Sequence, residues 1–143
     1  MTKLKTAKQI LIFLIIVEFF NGLSGVAGGV GLVADPTAAA LGMELEWLQG
    51  TPFSNYLIPG IVLLVFNGLG NLTAAFLSVF RNPYRSHIAL FFGLVMIIWI
   101  ISQVAWIGYK SFLQPLYFST GLLQTILGAY LLKQDKLRLN RNK

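Results

Sequence analysis

The chain has 143 residues, 56% of them hydrophobic and only 11% charged, with a formal charge of +6 and a mean hydropathy of +0.72. Soluble domains carry about 25% charge, so this composition argues against a water-soluble enzyme, and the length suits one domain, 1–143. No cysteine is present, which excludes disulfides, thiolate catalysis and iron–sulfur ligation.

In chain order, Lys3, Lys5 and Lys8 precede an apolar run that reaches Asp35 with Glu18 as its one charge. About 20 apolar residues span a hydrocarbon core of about 30 Å, and helices satisfy their own backbone in lipid. The run lacks the alternation of a membrane β-strand, so a first helix is predicted over about 10–33. A basic start before an apolar run also describes a signal peptide. Glu18 inside the run speaks instead for an uncleaved membrane helix.

The segment after it, 34–55, is patterned. Asp35 can cap a helix whose first residue is Pro36, and Gly50 can end it. Leu41, Leu45 and Leu48 share one face, widened by Met43 and Trp47, while Glu44, Glu46 and Gln49 point elsewhere. A short amphipathic interfacial helix over about 36–49 is expected, a surface connector first and a lid over a cavity as its functional alternative. Further helices are predicted over about 56–80, 88–108 and 114–132, followed by a basic tail at 133–143. The expected fold is all-α, a four-transmembrane-helix bundle.

Of the eleven Lys and Arg, all but Lys110 fall before the first helix, between the second and third, or after the fourth. The positive-inside rule then places both termini in the cytoplasm of a plasma (inner) membrane protein. Four crossings agree with that. Asp35, Glu44 and Glu46 fall on the opposite side. The basic charge is juxtamembrane and reads as topology and attraction to anionic lipid, with no nucleic-acid partner implied.

The polar residues at membrane depth are the most informative. Glu18 is the only acid there, and a charge at that depth costs at least about 2.5 kcal/mol, so it should be neutralised, paired or turned to a cavity. At 1.5 Å per residue, Glu18, Asn71 and Gln124 each lie about 12 or 13 Å from the inner ends of their helices. Asn67 sits one turn from Asn71, Asn21 three residues beyond Glu18, and Gln103 further out. The candidate binding site is therefore Glu18, Asn21, Asn67, Asn71, Gln103 and Gln124. Phe20, Phe66, Trp99 and Trp106 are assigned to the apolar part of a ligand. Carboxamides also serve as interhelical glue with no ligand at all.

Gly25 and Gly29, and Gly121 with Thr125 and Ala129, have the spacing that lets helix backbones approach. Two short stretches echo one another, Asn21–Gly25 and Asn67–Asn71, a likeness short enough to be coincidence. No nucleophile–base pair, phosphate loop or zinc motif is found. His87 is alone, so no metal, cofactor or catalytic residue is assigned, and an enzyme is the less favoured reading.

Thr51, Pro52 and Phe53 with Tyr56 to Gly60, Arg81, Trp99 with Gln103, and Leu113, Gln114 and Pro115 with Tyr117 and Gly121 resemble the DoxX-like small bacterial four-helix membrane proteins, an uncharacterised branch of them. The resemblance covers about 10–132 and implies a four-helix bundle in the bacterial plasma membrane. It transfers no catalytic residue. The leading expectation is a non-catalytic protein binding a hydrophobic or amphipathic molecule or lipid around Glu18. A proton- or ion-coupled transporter acting as a homo-oligomer, and an accessory subunit of a membrane complex, are the alternatives.

Overall fold

The structure is a computed structural model that describes Thr2–Arg141. Met1, Asn142 and Lys143 lie outside the described residues, as do the side chains of Thr2, Lys3 and Leu4, so Lys3 and Lys143 of the basic ends are not placed. Four helices account for most of what is described: α1 (Thr2–Ala34), α2 (Leu57–Val79), α3 (Arg85–Ile107) and α4 (Leu113–Arg141). No strand occurs among the described residues.

Three of these helices, α1, α2 and α3, are long and apolar enough to cross a membrane. α4 is long enough, but Tyr117, Ser119, Thr120, Gln124 and Thr125 make it less apolar. Large apolar side chains such as Ile16, Leu23 and Ile98 are more than half exposed along the helices. A monomer in water rarely presents so much contiguous apolar surface; hydrocarbon would cover it. α1 and α4 run past the predicted ends. Neither Gly nor Pro interrupts residues 2–9 or 133–141, and their Lys, Gln, Leu and Arg are good helix formers.

α1 lies along α2 and α3 along α4, while α1 against α4 and α2 against α3 close the ring. Hydrocarbon offers no hydrophobic drive between helices, so backbone approach and close packing hold such a pair. A Cβ on Gly25 would stand 2.7 Å from the Gly68 amide nitrogen, and one on Gly29 would stand 2.6 Å from Leu64 Cα. The two echoed stretches thus face each other across this contact. Opposite Gly25 and Gly29, the Leu63–Leu69 stretch of α2 is a π-helix, an uncommon form that recurs at functional positions.

The connector departs from the predicted amphipathic helix over 36–49. It forms two short 3-10 turns, Ala39–Leu41 and Leu45–Leu48. Ala38 (φ 57°) and Gly42 (φ 68°) take left-handed conformations, which a continuous right-handed helix cannot contain. Asp35 does act as a cap, but of a turn. Its carboxylate accepts from Thr37 N (3.1 Å), Thr37 Oγ1 (2.6 Å) and Ala40 N (3.3 Å). The turn lets the chain fold inward, so that Leu32, Ala38, Leu48 and Tyr56 form a small core with Met43 and Phe53. At the opposite end Leu11, Leu14, Ala89 and Leu131 pack together. There Arg85 pairs with Asp135 at 3.0 Å, and Ser86 donates to the same carboxylate at 2.8 Å.

Candidate functional site

The end bearing the 35–56 connector and the end bearing most of the basic residues differ in construction. At the connector end the four helices enclose a cavity of about 600 Å³. Trp99, Trp106, Leu63, Met96 and Ile100 give it apolar walls; Asn21 and Ser24 supply polar groups from α1. The connector roofs it through Leu41, Met43, Trp47 and Phe53. Three clasps hold that roof. Tyr56 Oη donates to the Glu44 carbonyl at 2.8 Å, the Phe53 and Trp106 rings meet edge to face at 5.3 Å, and Lys110 Nζ lies 5.3 Å from the Trp47 ring centre. The last is a cation–π distance.

Tyr56 stands at the start of α2, just after the connector. It is 2% exposed and fastens the roof. Burial, reinforced by the charge of Glu44, pushes its phenol above the usual range. Asp35 is held below the ordinary carboxylate range, first by the Thr37 hydroxyl and then by the Ala40 amide. Gln114, which had no assigned role, locks the turn before α4. Its Oε1 accepts from Lys110 N at 2.8 Å, and its Nε2 donates to the Gly108 carbonyl at 3.1 Å.

Toward the basic end the bundle is sealed and polar. Glu18, Asn21, Asn67, Asn71, Ser78 and Gln124 are all 0% exposed. Gln124 Nε2 donates to the Ala89 carbonyl at 3.1 Å, and Gln124 Oε1 accepts from Asn21 Nδ2 at 2.9 Å. Asn71 Nδ2 donates to the Asn67 carbonyl at 2.8 Å. Beyond these bonds the cluster is unsatisfied: both Glu18 carboxyl oxygens, Asn21 Oδ1, both polar atoms of the Asn67 side chain, Asn71 Oδ1 and Ser78 Oγ lack a partner. Ser78 faces the Glu18 carboxyl without completing a hydrogen bond.

The fold divides the predicted site. Asn21, Trp99 and Gln103 line the cavity, while Glu18, Asn67, Asn71 and Gln124 lie beneath it in the sealed cluster. Asn21 belongs to both. Phe66 is 45% exposed and Phe20 44%; neither lines the cavity, because each stands on the outward side of its helix. Phe20 stacks on Tyr117 at 5.9 Å instead. The depth estimate put Glu18 level with Asn71 and Gln124, but it is Asn21 that meets Gln124. Gly22 lies against Leu72, so Glu18 falls about one turn nearer the basic end, beside Ser78. Helix ends that are not level with one another account for the offset. Ser78 lies seven residues after Asn71 and hence on the same helix face, and that spacing is its signal in the sequence.

Among the described residues no group of three or more His, Cys, Asp or Glu could hold a metal ion. Comparison with family models, with curated proteins and with solved structures finds no match for this chain.

Proposed function

We propose that the protein is a four-helix membrane protein that takes an amphipathic or hydrophobic small molecule or lipid into the cavity at its connector end. The carrying observation is the cavity of about 600 Å³, within the range that encloses ligands and apolar on most sides with few polar groups. An apolar body would lie between Trp99 and Trp106. Hydrogen-bonding groups would reach Asn21 at the base, and an anionic head would suit Lys110 at the mouth. In this reading all four helices span the bilayer, both termini are cytoplasmic by the positive-inside rule, and the chain is a DoxX-like bacterial membrane protein. The connector serves as the lid rather than as a passive link.

The test is a mass spectrum of the purified protein in nanodiscs, read for a retained amphiphile. Trp99→Ala should empty the cavity, while Phe66→Ala, on the outward face, should leave retention unchanged. Equal retention by both variants, or a wild type that retains nothing, overturns the reading.

Glu18 supports a second reading. A fully buried carboxyl without a partner suits a carrying group in proton- or ion-coupled transport, for which four helices would work as an oligomer. Liposome flux abolished by Glu18→Gln would favour it.

A further inference from the structure

The cavity at the connector end has one formally charged residue in its walls, Lys110. Lys110 is also exposed, so it stands at the rim. Its backbone is held firmly there. Gly108 (φ 73°) ends α3, and the buried Gln114 side chain uses both ends of its amide on the turn that follows. Oε1 accepts from Lys110 N at 2.8 Å, and Nε2 donates to the Gly108 carbonyl at 3.1 Å. The ammonium has no acidic partner. The one ion pair among the described residues joins Arg85 to Asp135 at the far end, and Lys110 Nζ rests 5.3 Å from the Trp47 ring centre instead.

Asp35, Glu44 and Glu46 belong to the same end, but none of them lines the cavity. The Asp35 carboxylate is engaged by Thr37 and Ala40. Glu44 and Glu46 are exposed, where water and salt screen them. Within the walls, a single positive charge therefore stands among apolar and neutral groups. One negative charge on a guest would balance it, and a second would be left uncompensated beside apolar surface, where charge is costly. Size narrows the guest further. At about 30 Å³ for each water-sized group, a cavity of about 600 Å³ holds roughly 20 non-hydrogen atoms. A carboxylate with a tail of about 16 carbons has that many, whereas a two-chain phospholipid has about 50 and exceeds the enclosed space. Trp99, Gln103 and Trp106 recur at the spacing of one helix face, so α3 sets two rings along the cavity for such a tail.

We propose that the cavity takes one single-chain amphiphile with a monoanionic head, a long-chain carboxylate, whose head pairs with Lys110 at the rim and whose tail lies along Trp106 and Trp99. This narrows the amphiphile reading and rests on it. Lys110 is the residue that sets the specificity. A charge-assisted hydrogen bond from its ammonium separates the carboxylate from an alcohol of equal length, and the enclosed volume separates one chain from two.

The test uses the full chain in detergent micelles at about pH 9, where a carboxylic acid is ionised and a lysine still charged. Palmitate, hexadecanol and dipalmitoyl phosphatidylglycerol are each added at the same mole fraction, and native mass spectrometry counts the adducts. Hexadecanol keeps the tail and removes the charge; the phosphatidylglycerol keeps one negative charge and doubles the tail. Palmitate should bind at one per chain and at least about ten-fold more tightly than either, the worth of one hydrogen bond to a charged group. Its advantage over hexadecanol should shrink as salt rises. Lys110→Gln should weaken palmitate binding by at least about ten-fold and leave hexadecanol unchanged, while Lys110→Arg should keep the preference. Hexadecanol bound as tightly as palmitate, phosphatidylglycerol preferred to palmitate, or palmitate binding indifferent to Lys110→Gln overturns the proposal. The comparison of heads on the wild type covers the case in which the variant does not fold. Hexadecanol binding that Trp99→Ala abolishes, with no preference for palmitate, would sink this proposal and leave the amphiphile reading standing. No adduct with any of the three also overturns it, and the amphiphile reading is then decided by the retained-molecule spectrum alone.

Discussion

The two halves of the bundle use the same helices for opposite ends. At the connector end they part around a cavity that is apolar on most sides and closed by a folded-in roof. At the basic end they seal around carboxyl, amide and hydroxyl groups that are wholly buried and only partly paired. The boundary falls at Asn21 and Gly25, where α1 touches the π-helical stretch of α2. Close backbone contact there permits a polar cluster below and space above. The roomy half suits a ligand's apolar body, whereas the sealed half keeps polar groups whose hydrogen bonding is unmet.

The most severe way to break this division is at the boundary. Gly25→Val would force a side chain into the Gly68 backbone, since even a Cβ stands at 2.7 Å. Overpacking with no flexible neighbour to yield should cost on the order of 3 kcal/mol or more. Thermal unfolding in nanodiscs should show a large loss, and a near-native midpoint would mean that the helices are further apart than described. Next comes a matched pair across the division. Gln124→Leu strips Asn21 Nδ2 and the Ala89 carbonyl of their partner, so a loss of about 1–2 kcal/mol is expected. Gln103→Leu, in the cavity wall, should change stability by less than about 0.5 kcal/mol while altering which amphiphile is retained. Equal losses in the two would erase the distinction between the halves.

Smaller effects probe the roof. Tyr56→Phe removes the bond to the Glu44 carbonyl and should cost about 1 kcal/mol, with Trp47 fluorescence shifting red as the roof loosens. The same phenol gives a pH limit at the alkaline end. Its pKa is raised in the fold, so its contribution is complete below the unfolded value of about 10 and is lost as pH climbs above it. Asp35 gives the converse and the smallest effect. Its pKa is lowered by the Thr37 and Ala40 contacts, so its contribution is present above the unfolded value of about 3.9 and fades as pH falls through the lower folded value. Asp35→Asn should flatten the acid limb of a Trp47 fluorescence titration. An unchanged limb would mean that the carboxylate does not hold the turn.

Much of this was legible in the residues, and the misses have specific causes. The burial of Glu18, Asn21, Asn67, Asn71 and Gln124 followed from the lack of any partner in lipid, and each is fully buried. Phe66 failed because the aromatic content of an apolar helix says nothing about which side faces the bundle; it stands half-exposed. The connector failed because its apolar spacing fits a helix, whereas the left-handed turn at Ala38 is stabilised by Asp35 and by burial under Tyr56. The Asp35 contacts are local and suit a turn as well as a helix cap, whereas the burial under Tyr56 has no local signature. The short echo between 21–25 and 67–71, which looked accidental, marks the place where two backbones meet.

Composition and charge placement by themselves determined that the chain makes long apolar helices, where they start and stop to within a few residues at most ends, and which polar side chains must be hidden. These are local consequences of hydrophobic length, helix propensity and the cost of exposing polar groups to hydrocarbon. Only the packed structure decided the register between α1 and α2, and with it that Asn21 rather than Glu18 meets Gln124, that Ser78 joins the cluster, and that one predicted site is two. Register is set by which glycine sits against which backbone, a contact between residues some forty positions apart that no stretch of sequence encodes alone.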